Sequence, residues 1–487
     1  MLRIVFILYS FFFLIASANA QKSIEMAIDQ LVKDPSLKHG SVSISVIDVE
    51  SGQLLASHQP HQSLSPASSL KVVTTAMALK LLGPDYTFKT YLEYDGTIDE
   101  TGVLKGNIFI RGGGDPTLGS HHFKAAKRKE EVLNLFVEAI LKKGIRQIDG
   151  KIIGDASFFN TAVNGRTWLW EDLGNYYGAG AWGLNFHENL FFLDFRQKNQ
   201  LGAQPDIEGV RPSIPNLLLI NEVKLAKKGS GDNAYIFGAP YTYTYFVRGT
   251  IPVGNKKFTV KGAIPDPPFF MAHRLMEALA KAGIHTTQTA SSLAQLAIEG
   301  VKTGDRKPLL LFESPKLSEI VKETNLKSVN LYCESMLRTI GKVRGGEGTA
   351  EKGLEIISQY LEEQNINTGG FFMEDGSGLS VRNAVSSYHL ASFMCVVAKD
   401  KTVFPLFKAS LPVASRTGSL KYMFKGSKAE NRLVAKSGGM SRVRSYTGFV
   451  PRKSGGWMSF SVIVNEFSGL SGVIRNKMEQ FMIALCQ

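Results

Sequence analysis

Residues 68–82 are predicted to form a helix that is apolar on nearly every face, and this helix constrains the fold more than any other segment. Leu70, Val73 and Met77 share one face at helical spacing, while Val72 lies on another face. A surface helix needs only one apolar stripe, whereas this one must be removed from water on all sides. We therefore predict a layered domain that encloses the helix.

The segments that would cover this helix come from both ends of the chain. From Gly40 to Leu55 apolar and polar residues alternate, which predicts a strand, a turn at Ser51-Gly52 and a second strand. Three further β runs lie between Leu433 and Val464, and helical patterns return from about residue 305. The sequence therefore predicts an α/β fold.

Between about residues 90 and 300 the chain has a different texture. Short β-like runs alternate with Gly and Asp, as in small sheets joined by tight turns. Two helical stretches, Glu130–Lys143 and Met271–Ala282, are the exceptions. We predict that 21–89 and 301–487 together form the α/β domain and that 90–300 is an inserted β-rich domain.

The first twenty residues have the three parts of a cleavable export signal. Arg3 is followed by an apolar run from Ile4 to Ala16 and then by Ala18-Asn19-Ala20. The run is shorter than the ~20 residues that span a bilayer, and the small residues at its end favour cleavage over an uncleaved anchor. We predict a signal peptide over 1–20, an exported product, and no transmembrane anchor after cleavage.

The charge of the chain limits its partners. The formal net charge is +13, but there is no run of five or six cations and no cluster that interleaves cations with aromatics. Nucleic acid is therefore not a predicted partner. The charge favours a weak peripheral attraction to anionic wall polymer or membrane surface.

Cysteine and histidine patterns give no cross-linked or metal-binding framework. Cys333, Cys395 and Cys486 are scattered among apolar residues, which favours buried free thiols. The nine histidines show no His-Glu-x-x-His spacing. We predict no metal site and no cofactor.

Ser68-Ser69-Leu70-Lys71 stands at the start of the buried helix. A serine and a lysine three residues apart are neighbours on one helix face. A lysine in an apolar setting is destabilised in its charged form, so its pKa falls and it can act as a base. Serine at a helix amino end also has free amides nearby to stabilise an oxyanion. The alternative is that this Ser-x-x-Lys spacing occurs by chance. That alternative becomes weaker when the further motifs of such a site follow in the expected order.

Ser328-Val329-Asn330 is the second motif, and we predict that a helix over Ser328–Ile340 begins there. Alone, this tripeptide indicates a helix amino cap, which Ser and Asn both serve. After Ser-x-x-Lys it gains a second interpretation, with a hydroxyl to pass a proton and an amide to hold a substrate carbonyl.

Three Lys-Ser/Thr-Gly stretches are candidates for the third motif of the site. Lys302-Thr303-Gly304 lies in a polar turn and precedes Ser328, which is the wrong order. Lys453–Gly456 lies between two apolar strands, where Gly suits a hairpin turn. Lys436–Gly439 continues the apolar run that begins at Leu433, so we place it on a strand, where glycine admits a ligand backbone.

The ordered motifs resemble those of the D-alanyl-D-alanine carboxypeptidase/endopeptidases, the class C low-molecular-mass penicillin-binding proteins of peptidase family S13. The resemblance covers nearly the whole chain after the signal. The other stretches that carry it are GGGDPTL (112–118), GDASFF (154–159), WLWEDLGNYYGAGAWGLNFHEN (168–189), EDGSGLS (374–380) and RTGSLKYMFKG (416–426). It implies a transpeptidase/β-lactamase-like domain, with an antiparallel sheet flanked by helices, split by a β-rich insertion with a nested subdomain.

The resemblance also implies an acyl-enzyme mechanism on peptidoglycan stem peptides, with β-lactam antibiotics as covalent inhibitors. Ser68 would attack the carbonyl between two terminal D-alanines, and Lys71 would take its proton. Ser328 would relay a proton toward the leaving amine, and Asn330 would orient the substrate. Water would then release the peptide.

The strand motif has the implied task of holding the substrate. Lys436 and Ser437 would face its terminal carboxylate, with Gly438 next to them. Backbone N–H groups of Ser68 and Gly439 would form the oxyanion hole. Many relatives have Thr at the position of Ser437, but the hydroxyl is retained here.

Residues of the insertion are also implicated by the resemblance. In the family a Trp-x-Trp loop leans over the cleft, and Asp172 and Tyr177 are the candidates here to contact the substrate's diamino-acid amine. A loop-bracing carboxylate and a buried aromatic are the alternatives for these two. Relatives often have Arg directly after the DGSGLS stretch, whereas this chain has Val381 and then Arg382.

We therefore predict a periplasmic, penicillin-sensitive serine DD-carboxypeptidase/endopeptidase that hydrolyses D-Ala-D-Ala and cross-link peptide bonds. A β-lactamase-type hydrolase is one alternative, although Lys71 and Ser328 are far apart for a compact fold and no Glu-x-x-Leu-Asn motif occurs. A non-catalytic cell-wall-binding protein on the same fold is another. The intact Ser and Lys set argues against loss of activity.

Overall fold

A computed structural model describes residues 21–123 and 127–486. The predicted signal peptide lies outside these residues. The helices are α1 (residues 21–32), α2 (Lys71–Leu82), α3 (Lys129–Lys142), α4 (Trp170–Leu173), α5 (Pro267–Lys281), α6 (Leu293–Ile298), α7 (Leu317–Lys327), α8 (Asn330–Gly345), α9 (Ala350–Glu363), α10 (Ser387–Lys399), α11 (Phe404–Ser410) and α12 (Ser471–Ala484).

The strands run the length of the described chain. They are β1 (Ser41–Asp48), β2 (Leu54–His58), β3 (Lys89–Tyr94), β4 (Thr97–Ile98), β5 (Val103–Lys105), β6 (Ile108–Gly112), β7 (Gln147–Asp149), β8 (Ile152–Asp155), β9 (Leu190–Arg196), β10 (Asp206–Arg211), β11 (Leu218–Asn221), β12 (Lys224–Ala226), β13 (Asn233–Phe237), β14 (Thr244–Pro252), β15 (Lys257–Ala263), β16 (His285–Thr286), β17 (Ser291–Ser292), β18 (Lys307–Glu313), β19 (Val434–Met440), β20 (Val443–Pro451) and β21 (Trp457–Asn465).

The chain divides into two compact units. Unit 1 comprises the described residues up to Pro84, Val321–Val329 and the described residues from Leu354 onward. Unit 2 comprises Asp85–Ile320 and Asn330–Gly353. The domain boundaries predicted near residues 90 and 300 stay a prediction.

Unit 1, in its described part, is built on an antiparallel sheet with the strand order β19-β20-β21-β1-β2. On one face Ile44 and Val46 of β1 join a hydrophobic core with side chains of α1 and α12. On the other face Ser43 and Ser45 hydrogen-bond with Ser387 of α10. The predicted antiparallel sheet flanked by helices is confirmed.

Helix α2 is the apolar helix predicted from the sequence. A 3₁₀ turn, Ala67–Leu70, leads into it, and Gly83 with φ 92° ends it. All nine residues from Lys71 to Leu79 are buried. Helices α10 and α11 both pack against it. The expectation that this helix is covered on all sides is confirmed for Lys71–Leu79, whereas Lys80 in its last turn is exposed.

Unit 2 has the β-rich texture predicted for the middle of the chain. Its main sheet has the order β17-β8-β6-β3-β18 and mixes parallel with antiparallel pairs. Helix α5 packs on β8, and α3 packs on α5. Smaller sheets have the orders β16-β7-β5-β4, β10-β9-β15 and β11-β14-β12, with β13 paired to β14. The predicted helices correspond to α3 and α5, whereas the short α4 and α6 were not predicted.

Within the described residues, no helix is both long enough and apolar enough to cross a membrane. All three cysteines are buried and outside any disulfide, as predicted.

Candidate active site

Ser68 lies on the 3₁₀ turn that leads into α2. In a 3₁₀ turn residues i and i+3 are eclipsed, so the side chains of Ser68 and Lys71 project in the same direction. The Lys71 Nζ atom lies 3.0 Å from the Ser68 Oγ atom. Ala67, directly before the serine, has φ 45°, a left-handed conformation that costs an L residue free energy and often marks functional turns. The turn therefore presents a hydroxyl within proton-transfer distance of a buried amine.

Lys71 is fully buried and is held by a loop from the EDGSGLS stretch. Its Nζ atom donates a hydrogen bond to the Ser377 carbonyl, at 2.6 Å. The buried carboxylate of Asp375 shapes this loop by accepting from the backbone N–H groups of Gly378 (2.7 Å) and Ser380 (2.6 Å). A single buried carboxylate thus fixes the carbonyl that orients the lysine.

The same loop closely approaches the serine turn. A Cβ atom at Gly378 would lie 2.0 Å from the Ala67 carbonyl oxygen, and its φ of 78° is in the left-handed region. Only glycine fits both conditions. This contact joins the loop that holds Lys71 to the turn that carries Ser68.

Ser328 lies between α7 and α8, and the predicted helix start at Ser328 was wrong. The helix begins two residues later, at Asn330, because Ser328 has φ 59° and therefore cannot continue a right-handed helix. The Lys436 Nζ atom donates to the Ser328 Oγ atom at 3.0 Å and to the Ser437 carbonyl at 2.8 Å. The second motif and the third thus meet through one hydrogen bond.

Lys436–Gly439 lies on β19, the edge strand of the unit 1 sheet, in register with Arg444–Thr447 of β20. Lys436 is buried, and the Ser437 hydroxyl donates to the hydroxyl of Ser419 at 2.6 Å. The predicted placement of this copy on a strand is confirmed.

Gly438 marks the contact between β19 and the serine turn. A Cβ atom there would lie 2.4 Å from the Pro66 carbonyl oxygen, 2.7 Å from the Ser69 backbone nitrogen and 2.3 Å from the Ser445 Oγ atom. The strand can approach the turn only because this position has no side chain.

The two other Lys-Ser/Thr-Gly copies lie outside this arrangement. Lys453–Gly456 forms the turn between β20 and β21, with φ of 90° at Gly455 and 75° at Gly456, and the predicted hairpin turn is confirmed. Lys302-Thr303-Gly304 lies in the loop before β18, where the Gly304 N–H donates to Asp95 at 3.0 Å.

Asn330, Asp172 and Tyr177 belong to unit 2, where hydrogen bonds connect them. The Asn330 side-chain amide donates to the Tyr177 backbone carbonyl at 2.8 Å. The Tyr177 hydroxyl hydrogen-bonds with the Asp172 carboxylate. Burial raises the pKa of Asp172, and burial together with the Asp172 charge raises the pKa of Tyr177. The structure thus brings these three predicted residues together, with the asparagine held on a tyrosine carbonyl.

Three residues in unit 1 were not singled out from the sequence. Ser377 contributes its backbone carbonyl to Lys71, and Asp375 accepts from backbone N–H groups. Ser419 lies beside Ser437 on a 3₁₀ turn, Gly418–Leu420. All three lie in the stretches EDGSGLS and RTGSLKYMFKG, which carry part of the family resemblance. Those stretches were therefore the sequence signal that could have identified these residues.

Taken together, unit 1 holds two serine–lysine pairs, Ser68 with Lys71 and Ser328 with Lys436. The first pair has the geometry of a nucleophile with its base, and the second that of a hydroxyl polarised by an ammonium group. The left-handed conformations at Ala67 and Ser328 are the backbone strain expected at such a site. The arrangement is suited to acyl transfer through a serine ester.

Comparison with known proteins gives a consistent result. The model of a family described as the D-Ala-D-Ala carboxypeptidase 3 (S13) family matches residues 24–485. A D-alanyl-D-alanine carboxypeptidase of Actinomadura sp. (strain R39) is 27% identical over 472 residues, which cover 93% of this chain and 84% of that protein. The D-alanyl-D-alanine carboxypeptidase DacB of Haemophilus influenzae is 23% identical over 429 residues, which cover 86% of this chain and 84% of that protein.

A solved structure has the same fold. The crystal structure of penicillin binding protein 4 (dacB) from Haemophilus influenzae matches with a TM-score of 0.79 at 23% sequence identity. The match covers 93% of this chain and 97% of that one.

Proposed function

The chain belongs to the D-Ala-D-Ala carboxypeptidase 3 (S13) family, and on that premise we propose that it hydrolyses D-Ala-D-Ala peptide bonds of peptidoglycan through an acyl-enzyme on Ser68. The observation that carries the assignment of the nucleophile is the distance of 3.0 Å between Ser68 Oγ and the buried Lys71 Nζ. The enzyme is a serine-type carboxypeptidase, a hydrolase.

Acylation begins at the serine turn. Lys71, in its neutral form, takes the Ser68 hydroxyl proton as Oγ attacks the carbonyl between the two D-alanines. The Ser377 carbonyl keeps the Lys71 amine in place, since it accepts from Nζ at 2.6 Å. Backbone N–H groups of Ser68 and Gly439 stabilise the oxyanion.

Collapse of this intermediate breaks the peptide bond and leaves an ester on Ser68. The departing D-alanine amine receives the proton that Lys71 took from Ser68, relayed through Ser328, whose hydroxyl is polarised by the Lys436 ammonium at 3.0 Å. Water then attacks the ester, which releases the shortened peptide and restores the Ser68 hydroxyl.

The edge strand β19 provides the docking surface for the substrate. An extended peptide adds to a sheet edge through backbone hydrogen bonds, and Gly438 allows close approach. Lys436 and the Ser437 hydroxyl hold the terminal carboxylate, with Ser419 beside them.

In unit 2, Asn330 orients the substrate amide. Asp172 and Tyr177 contact the diamino-acid amine of the stem peptide, for which a carboxylate and a phenol are suitable acceptors. The Tyr177 carbonyl fixes the Asn330 side chain at 2.8 Å, so these roles depend on one another.

A β-lactam reacts by the same route, because it offers a strained amide to the same nucleophile. A second Haemophilus influenzae penicillin binding protein 4 structure, which covers 93% of this chain at 21% identity, has a β-lactam in complex. We infer that β-lactams acylate Ser68 here. We also propose that the enzyme cleaves peptidoglycan cross-links in addition to removing terminal D-alanine. We further propose that it acts in the periplasm, after export directed by residues 1–20.

Release of D-alanine from a pentapeptide muropeptide by the purified protein tests the proposal. We expect release by the wild type and none by Ser68→Ala, with Ser69→Ala as the matched control. Ser69 is buried next to the nucleophile, but its hydroxyl donates to the Pro66 carbonyl and accepts from the Ser445 hydroxyl. Release that survives Ser68→Ala would refute the assignment, and rapid turnover of penicillin without D-alanine release would indicate a β-lactamase.

A further inference from the structure

Three side chains that bind metals in many proteins converge in unit 2, outside the residues assigned above. They are His121 and His122, which directly follow β6 and its loop, and Glu188, which precedes β9. One donor atom from each lies within 4.8 Å of the other two. The sequence predicted no metal site, because the histidines and the glutamate lie in separate segments and match no spacing motif.

The distances between these donors suit a small cation. His122 Nε2 lies 3.1 Å from Glu188 Oε2, and His121 Nδ1 lies 3.3 Å from Glu188 Oε1. Ligands around a tetrahedral zinc, at bonds of about 2.0–2.1 Å, are separated from one another by about 3.3–3.4 Å. These two contacts use different carboxylate oxygens, and one donor atom from each residue lies within 4.8 Å of the other two, so a cation bound by all three residues draws these side chains closer together.

The carboxylate is held in place by a second layer of contacts. The Ser120 hydroxyl donates to Glu188 Oε1 at 2.5 Å and lies 3.0 Å from the hydroxyl of the buried Tyr332. The His122 backbone N–H donates to the same Ser120 oxygen at 3.0 Å. Hydrogen bonds of this kind orient the ligands of metal sites and tune their affinity.

The backbone around Glu188 is fixed by an unusual turn. His187, Glu188 and Asn189 have successive φ values of 56°, 56° and 53°. Three left-handed L residues in a row persist only where the surroundings enforce them. The buried Asn189 side chain does so, since it accepts from the Phe186 N–H and donates to the Gly180 carbonyl. The position of Glu188 is therefore set before any cation binds.

Exposure differs among the three side chains in a way that leaves an entry path. The exposed fraction is 4% for Glu188, 18% for His122 and 43% for His121. We propose that His121, His122 and Glu188 form a site for a divalent transition metal, Zn²⁺ above all, with its fourth position open to solvent. Two imidazoles favour Zn²⁺ over Mg²⁺ or Ca²⁺, which prefer all-oxygen ligands.

The bound ion would join two segments of unit 2, the residues after the GGGDPTL stretch and the turn before β9. The ion therefore has a structural role, because it links these two segments. This role goes beyond the proposed peptidase chemistry, which uses none of the three metal-binding residues. An ion pair between protonated histidines and Glu188 is the competing account of the same contacts.

Calorimetry on the full, histidine-tag-free protein separates the two accounts. After treatment with a chelator, the protein is titrated with ZnCl₂ alone, and Co²⁺ is used in parallel as a spectroscopic probe. We expect one Zn²⁺ per chain, a rise in Tm with Zn²⁺, and the visible absorption bands of four-coordinate Co²⁺. His121→Ala and Glu188→Gln should each weaken Zn²⁺ binding by about tenfold or more.

Control variants make the result decisive. Glu188→Gln keeps an oxygen for the Ser120 hydroxyl, and His121 is partly exposed, so both variants are expected to fold. His285→Ala removes an exposed histidine of the same unit and should leave Zn²⁺ affinity unchanged. Failure of the wild type to bind Zn²⁺ saturably, or unchanged affinity in His121→Ala and Glu188→Gln, would overturn the proposal.

Discussion

Replacing Gly438 with alanine tests the packing of the substrate strand on the nucleophile turn. The added Cβ atom would lie 2.4 Å from the Pro66 carbonyl oxygen and 2.7 Å from the Ser69 nitrogen. Both are backbone atoms, so no side-chain rotation relieves the contact. Ordinary contact begins near 3.4 Å, and β19 must therefore move away from the turn by about 1 Å.

This displacement has two measurable consequences. Overpacking of this kind costs about 1–3 kcal/mol of stability. A misplacement of about 1 Å between nucleophile and substrate costs about a hundredfold in rate. Because Ser68 and the proposed Gly439 oxyanion donor lie on opposite sides of this contact, the acylation rate should fall together with the stability.

The assay is the second-order rate of acylation by a fluorescent penicillin, measured together with Tm. Gly472→Ala is the matched control, because Gly472 is in α12 and nothing lies within 4 Å of its added Cβ. We expect a loss of about a hundredfold in Gly438→Ala and none in Gly472→Ala. Equal acylation rates in the two variants would refute the argument that this contact sets the geometry of the site.

Three further predictions follow from other features. Lys436→Ala should lower acylation by about a hundredfold, whereas Lys453→Ala, in the hairpin turn, should leave the penicillin labelling rate unchanged. Ser437→Thr keeps the hydroxyl and should retain most D-alanine release, while Ser437→Ala should lower kcat/KM by about tenfold or more. Burial raises the pKa of Asp115 to about 6, so its contribution to stability is present below about pH 4 and is lost as the pH rises through 6. The Tm of the wild type should therefore fall relative to Asp115→Asn between pH 4 and pH 8, by the equivalent of about 3 kcal/mol at most, and a constant difference would contradict this.

Local spacing was enough to predict several parts of the fold and the candidate site. Ser68 and Lys71 are three residues apart, so helical geometry alone brings them together. The all-apolar character of α2 predicted a covered helix, and apolar flanks separated the strand copy at Lys436 from the turn copy at Lys453. The catalytic roles given to these residues stay predictions.

Long-range and backbone-mediated contacts could not be predicted in this way. The Ser377 carbonyl that holds Lys71 is 306 residues away along the chain. Every residue has a backbone carbonyl, so the residue type at this position does not indicate the contact. The left-handed conformation of Ser328 is imposed by its surroundings, which is why the helix start was placed two residues early. The approach of Glu188 to the histidines likewise depends on a turn that sequence propensity disfavours.

The residue that forms the covalent bond with penicillin is the nucleophile of the enzyme, and it can be identified directly. The labelled protein is digested, and the modified residue is identified by tandem mass spectrometry. We predict a single adduct on Ser68, next to unmodified Ser69, and its loss in Ser68→Ala. An adduct on Ser328, Ser437 or any other residue would contradict the assignment of the nucleophile.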